Sequence, residues 1–205
     1  VGLGLKLPTG DSKAMDKFHR RASDGSDYTI EKPVDQSIQL GDGGVGINLE
    51  IQGYQQLFNR TSLYYNGFYM SNPKNVNSAS NVAPDKAVTD EMVHYMSVAD
   101  QYAGRLGLNY ALAPKAGIGA TLGARIEGVP AYDLIGDSDG FRRPGFIFSI
   151  EPGISYSTAN NTLFLSLPIA TQRNRIKSAN DWVTGKHGDA AFADYFISAT
   201  VTHRF

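Results

Sequence analysis

Gly136-Asp137-Ser138-Asp139-Gly140 satisfies the Gly-x-Ser-x-Gly pattern of a hydrolase nucleophile, and His187 and Asp189 follow in another polar stretch. Together they hold, on paper, the three groups of an acyl-transfer triad. That chemistry needs a sharp strand-to-helix turn presenting the serine hydroxyl beside backbone N–H donors. Here Gly140 leads through Phe141-Arg142-Arg143-Pro144 into an extended segment, so the match reads as a turn, a loop-based esterase is only a remote alternative, and no catalytic residue is assigned. Asp137 and Asp139 are hard oxygen ligands to which Asp42 and Asp189 could add for calcium, but the downstream bidentate glutamate of an EF-hand loop is missing. Gly41, Gly43, Gly44 and Gly46 lack the Lys-Ser/Thr pair of a phosphate-binding loop. The sequence therefore calls for no metal and no cofactor.

A different set of polar residues sits inside apolar alternation. Glu50, Gln52, Arg105, Arg125, Glu127, Glu151 and Gln172 each fall on the polar side of a segment whose other side is Leu, Ile, Val or aromatic. Charge held in that position must be paired or hydrated. If the hairpin through Pro114 sets Arg105 opposite Arg125, Glu127 lies diagonally within reach, and a cross-strand Arg/Glu network is expected. Such a network either selects solutes by charge along a lumen or fills a narrow one.

The elements that must position these residues are eight period-two segments, over residues 1–7, 44–57, 62–70, 98–112, 117–132, 145–156, 163–175 and 192–205. Most are longer than the usual soluble strand of about 5–6 residues and match the roughly 9–11 tilted residues that cross a bilayer. The connections at 58–61, 113–116 and 157–162 are short; those at 8–43, 71–97, 133–144 and 176–191 are long, polar and rich in Gly, Asp and Asn. Short and long alternate along the chain, so all the long ones fall on one side. An all-β, antiparallel up-and-down transmembrane barrel with short periplasmic turns and long outer loops produces that asymmetry directly. Asn59-Arg60-Thr61 and Asn160-Asn161-Thr162 look like glycosylation acceptors but are assigned turn duty.

Faces can be read residue by residue. In the last segment Tyr195, Ile197, Ala199, Val201, His203 and Phe205 oppose Asp194, Phe196, Ser198, Thr200, Thr202 and Arg204. In residues 62–70 either face could be outward; Leu63, Tyr65 and Tyr69 are taken as outward. Outward aromatics form two expected girdles. Tyr69, Tyr102, Tyr132, Phe146 and Tyr195 mark the long-loop rim, with Tyr110 and Tyr156 at the short-turn rim.

Composition sets the outer limits. Nineteen Lys and Arg stand against 20 Asp and Glu, with a pI near 6.5, so no basic excess favours nucleic acid. A mean hydropathy of −0.27 is what alternation averages to, and no run approaches the roughly 18 apolar residues of a membrane helix. Cysteine is absent, which removes disulfides, thiolate metal sites and cysteine nucleophiles. The chain is expected to be a single domain, with upstream strands missing before Val1.

Thr200-Val201-Thr202-His203-Arg204-Phe205 resembles the closing strand of bacterial outer-membrane proteins, which end on an aromatic recognised by the barrel-assembly machinery; Phe205 occupies that position and His203 departs from the alternation. Gly2-Leu3-Gly4-Leu5-Lys6-Leu7-Pro8-Thr9-Gly10-Asp11, Arg125-Ile126-Glu127-Gly128-Val129-Pro130 and Phe141-Arg142-Arg143-Pro144-Gly145 are similar to a broad group of outer-membrane barrels labelled transporters or phenol meta-degradation pathway proteins. The resemblance implies a barrel architecture in a Gram-negative outer membrane, in contact with lipid; with the inward polar residues, the leading expectation is a passive channel or transporter for small solutes, aromatic or hydrophobic ones included. The alternative is a closed barrel acting as a scaffold or surface-binding protein through its long loops.

Overall fold

A computed structural model describes residues 1–80, 82, 84, 94–187 and 193–205. In chain order, β1 (Gly2–Lys6) is followed by a hairpin of β2 (Met15–Arg21) and β3 (Asp27–Pro33), then by β4 (Gly46–Phe58) and β5 (Thr61–Ser71). Short strands β6 (Val76–Ser80) and β7 (Tyr95–Ser97) precede β8 (Gln101–Ala113), β9 (Ile118–Val129) and β10 (Gly145–Ser157). The chain continues through β11 (Asn161–Ser166), β12 (Ile169–Arg175), a short helix α1 (Ala179–Thr184) and β13 (Ser198–His203).

One antiparallel sheet in the order β1-β4-β5-β8-β9-β10-β11-β13 dominates, curled into a half-barrel, with β12 also pairing β10. β11 and β12 are a single strand position broken in two: both align on β10, one along each half of it. The break falls at Leu167-Pro168, where proline supplies no N–H to a ladder. Eight strand positions therefore stand where eight segments were expected, several with shifted ends. The segment over 98–112 starts only at Gln101, because Val98 and Asp100 are wholly buried in loop packing. The one over 117–132 ends at Val129, so Tyr132 lies off the sheet. The last is shortened to Ser198–His203, and the start proposed at Phe192 lies outside the described residues.

Short turns close one end. Asn59 and Arg60 join β4 to β5, with Arg60 in the left-handed region at φ 70°. A single 3-10 turn at Pro114–Ala116 joins β8 to β9, closed by Gly117 at φ 71°. The other end is not a set of solvated loops. Ser97, Val98, Asp100, Arg142, Pro144, Ser178 and Asn180 are buried there, and with Ala79 and Met96 they make the most solvent-excluded part of the molecule. Its centre is polar: Arg142 forks onto Asp133, with Nη1 donating to Oδ1 at 2.7 Å, and donates from Nε to Ser97 Oγ at 3.0 Å. Asp100 accepts from Asn72 N at 2.6 Å, Leu134 N at 2.8 Å and the Tyr69 hydroxyl at 2.8 Å. Arg143 forks onto Asp35 from a neighbouring loop at 2.8 and 2.7 Å. The guanidinium holds the Asp35 carboxyl well below the usual carboxylate range.

Candidate functional site

The two faces of the curled sheet differ in chemistry. Cross-strand pairing sets Leu3, Leu49, Tyr69 and Tyr102 in one row, and Tyr65, Leu106, Ala124, Ile150 and Ile169 in another, all on one face. Most of these side chains are solvent-exposed; Leu3 is 78% exposed and Leu106 55%. The opposite face carries Asn48, Glu50, Gln52, Asn66, Arg105, Thr121, Arg125, Glu127, Ser149 and Glu151. It is the concave one, because its clefts and buried side chains lie there. Strict period-two pleating makes this division, since each residue type alternates along the strand.

At mid-face Arg105 pairs directly with Arg125 in the β8–β9 ladder, the register expected for the hairpin through Pro114. Their acidic partners differ from the expected diagonal. Arg105 forks onto Glu151 two strands away, with Nε donating to Oε2 at 2.8 Å, and Ser166 Oγ donates to Glu151 Oε1 at 2.6 Å. Arg125 donates to Glu127 on its own strand, Nε to Oε2 at 3.0 Å, and its guanidinium lies 5.0 Å from the centre of the Phe196 ring. Arg105 reaches so far because Gly123, the residue paired with Glu151, has no side chain in the way. Glu151 is 1% exposed, so its charge depends on Arg105 and Ser166 for solvation.

Gly107 and Gly123 pair across β8 and β9 and form a floor under Tyr64. A Cβ on Gly123 would come within 2.2 Å of the Tyr64 Oη and 2.9 Å of the Leu106 carbonyl oxygen. Gly123→Ala is expected to destabilise the protein by about 1–3 kcal/mol through overpacking. Adding Tyr64→Phe should restore part of that loss, measured by urea unfolding of the single and double variants; no restoration would mean the hydroxyl is not the obstacle.

Two clefts meet at this site. One of about 380 Å³ is bounded by Glu50, Gln52, Asn66, Phe68, Arg105 and Arg125. The other, of about 450 Å³, runs from Arg105 and Tyr64 past Asn109, Thr121 and Ser155 toward the short turns. Six of the seven inner candidates, Glu50, Gln52, Arg105, Arg125, Glu127 and Glu151, thus share the concave face.

Gln172 does not. A β-bulge between Phe148 and Ser149 leaves Thr171 without a partner, so Gln172 pairs with Phe148 on the convex face while Arg173 and Arg175 turn to the concave side. One extra residue reverses the alternation from there on. Only a paired partner reveals such a bulge, so the sequence alone gave no sign of it.

Among the aromatics, Tyr69 and Tyr102 pair with each other on the convex face, and Phe146 lies along the same row through Gly128. Tyr110 and Tyr156 stand on that face near the short turns. Tyr195 joins it through an isolated bridge to Ile169, whereas Tyr132 belongs to the connection after β9. Leu63 and Tyr65 also share the convex face. Phe205 lies beyond β13, fully exposed, its ring edge-on to His203 at 4.7 Å.

Several of the hydrolase and calcium groups are engaged in other hydrogen bonds. Ser138 Oγ accepts from the Asp133 N–H at 2.8 Å, and His187 Nε2 lies 3.1 Å from the Arg175 carbonyl oxygen. Asp139 is tied to Asn75 by reciprocal bonds of 2.8 and 3.0 Å, and Asp42 pairs with Lys6. Asp189 lies outside the described residues. Among the described residues no three His, Cys, Asp or Glu groups converge as a metal site, and no helix is long and apolar enough to cross a membrane.

The chain matches no protein-family model, no curated protein and no solved structure.

Proposed function

We propose that the sheet is part of the wall of an outer-membrane β-barrel, its convex face against lipid and its concave face lining a passive path for small solutes. The observation that carries this reading is the two-faced sheet. Exposed Leu, Ile, Val and aromatic side chains predominate on one side of the sheet, and most of its charged and amide side chains lie on the other. In water an apolar surface of that extent is an association liability. Against hydrocarbon it is the required surface, and the tyrosines near both rims suit headgroups.

Within the lumen, Arg105 and Arg125 stand side by side with their charges fixed by Glu151 and Glu127. Glu50 lines the first cleft and accepts from Asn48 Nδ2 at 2.6 Å. Solutes would pass a hydrated wall of alternating sign beside Phe68, an arrangement that sorts by charge and size without a binding step. Phe205 is proposed as the group offered to the assembly machinery.

Reconstitution into planar bilayers tests the path. Folded protein is expected to give discrete conductance steps. Folded, inserted protein that gives neither conductance nor solute flux would leave the second reading, a closed barrel that displays its loops. The densely hydrogen-bonded core around Arg142 is the observation favouring that second reading, since it makes the loop side a fixed surface.

A further inference from the structure

We propose that the segment around α1, residues 176–187, is a lipid-headgroup anchor in which Trp182 and Val183 enter the interface while Lys177 and Lys186 meet anionic phosphates. The inference rests on the barrel reading and adds to it a specific membrane contact on the loop side.

The segment starts at the rim. Ile176 N donates to the Pro144 carbonyl oxygen at 3.0 Å, just beyond the rung that pairs Phe146 with Asn174. It therefore emerges immediately above the row of convex aromatics formed by Tyr69, Tyr102 and Phe146. A helix of six residues has no stability of its own in water, and this one is fastened at several points. Ser178 Oγ accepts from Asp181 N at 3.1 Å, Asp181 Oδ2 accepts from Ser178 N at 2.8 Å, and Gly185 at φ 67° ends the turn. Arg175 donates to the same Asp181 oxygen at 2.9 Å. These bonds hold Asn180 and Asp181 inward, both buried.

What the fastening turns outward is apolar. Trp182 is 64% exposed and Val183 61%, next to a partly exposed Ile176. Fixing the largest apolar side chain in the chain toward water is unfavourable unless something else covers it. The surrounding charge says what that is. The acid of the segment, Asp181, is engaged by Arg175, which leaves Lys177 and Lys186 as its outward charges, and Lys177 Nζ sits 4.4 Å from the Trp182 ring centre. An indole flanked by lysines suits the boundary where hydrocarbon gives way to phosphate: the ring takes the apolar layer and the ammonium groups extend to the phosphates.

Trp182 is the single tryptophan of the chain, so selectively excited tryptophan emission reports this position alone. The full chain is refolded into vesicles of phosphatidylcholine with and without phosphatidylglycerol, and into vesicles whose acyl chains carry bromine at shallow or deep positions. Expected are a blue-shifted emission, stronger quenching by shallow than by deep bromine, and lower access to acrylamide in the anionic vesicles. A charge-reversed Lys177→Glu, Lys186→Glu variant should lose the anionic dependence. Protein that floats with the vesicles but keeps water-like, bromine-insensitive emission overturns the anchor alone. Protein that does not float with them overturns the barrel reading, and the anchor with it.

Discussion

Replacing Arg142 by alanine is expected to lower the stability of the folded protein by about 3–5 kcal/mol, the largest effect of any single side chain here. Arg142 and Asp133 are 1% and 0% exposed at their side chains, so truncation strands a carboxylate where water does not reach it. The loss extends beyond one ion pair. Asp133 also accepts the N–H of Asp100, and Asp100 in turn holds Asn72, Leu134 and Tyr69, so the break loosens the connections β5–β8 and β9–β10 together. Urea unfolding of Arg142→Ala, Asp133→Ala and the double variant measures it. Because the double variant leaves no unpaired charge, it should be less destabilised than the sum of the singles. A loss under about 1 kcal/mol for Arg142→Ala would show that the pair is solvated and the loop-side core is not what holds that end.

Glu151→Gln is the second large change, and its main effect should be on charge rather than on folding. Glu151 neutralises Arg105 and is itself almost fully enclosed, whereas Arg105 keeps 23% of its side chain exposed and can turn to water when released. Removing the negative charge leaves Arg105 and its ladder partner Arg125 facing the cleft against Glu127 and Glu50. In the proposed channel the reversal potential under a salt gradient should move toward the anion value, with a stability loss of about 1–3 kcal/mol from the weakened hydrogen bonds. Glu127→Gln should shift it less, since Arg125 retains the face of Phe196. Folded Glu151→Gln protein with an unchanged reversal potential would place the conduction path elsewhere.

The strands and their faces were legible because alternation is a local signal. Ile118, Leu122 and Ile126 announce one face of β9, and Thr121, Arg125 and Glu127 the other, without any knowledge of neighbours. The pairing of Arg105 with Arg125 followed from a short turn whose length leaves few registers. Partners two strands apart carry no such signal. Glu151 and Ser166 close the Arg105 site across Gly123, and nothing in their own segments points to β8.

The loop side was the least legible part. A core built from Arg142, Asp133, Asp100, Ser97 and Asn72 has the composition of solvated turns, so β2, β3, β6, β7 and α1 were all hidden in stretches that read as polar connections. Hydrophobic periodicity reports burial of apolar groups and is silent where hydrogen bonds fill the interior. The Gly-x-Ser-x-Gly match belongs to this region. Its serine serves as an acceptor for a backbone N–H, a turn role that a pattern of letters cannot separate from nucleophilic attack.

Seven antiparallel steps separate β1 from β13, so the two free margins of the sheet run in opposite directions. They can meet one another, or accept further strands between them only in even numbers, without a parallel seam. Parity thus keeps either closure antiparallel throughout, whatever the circumference.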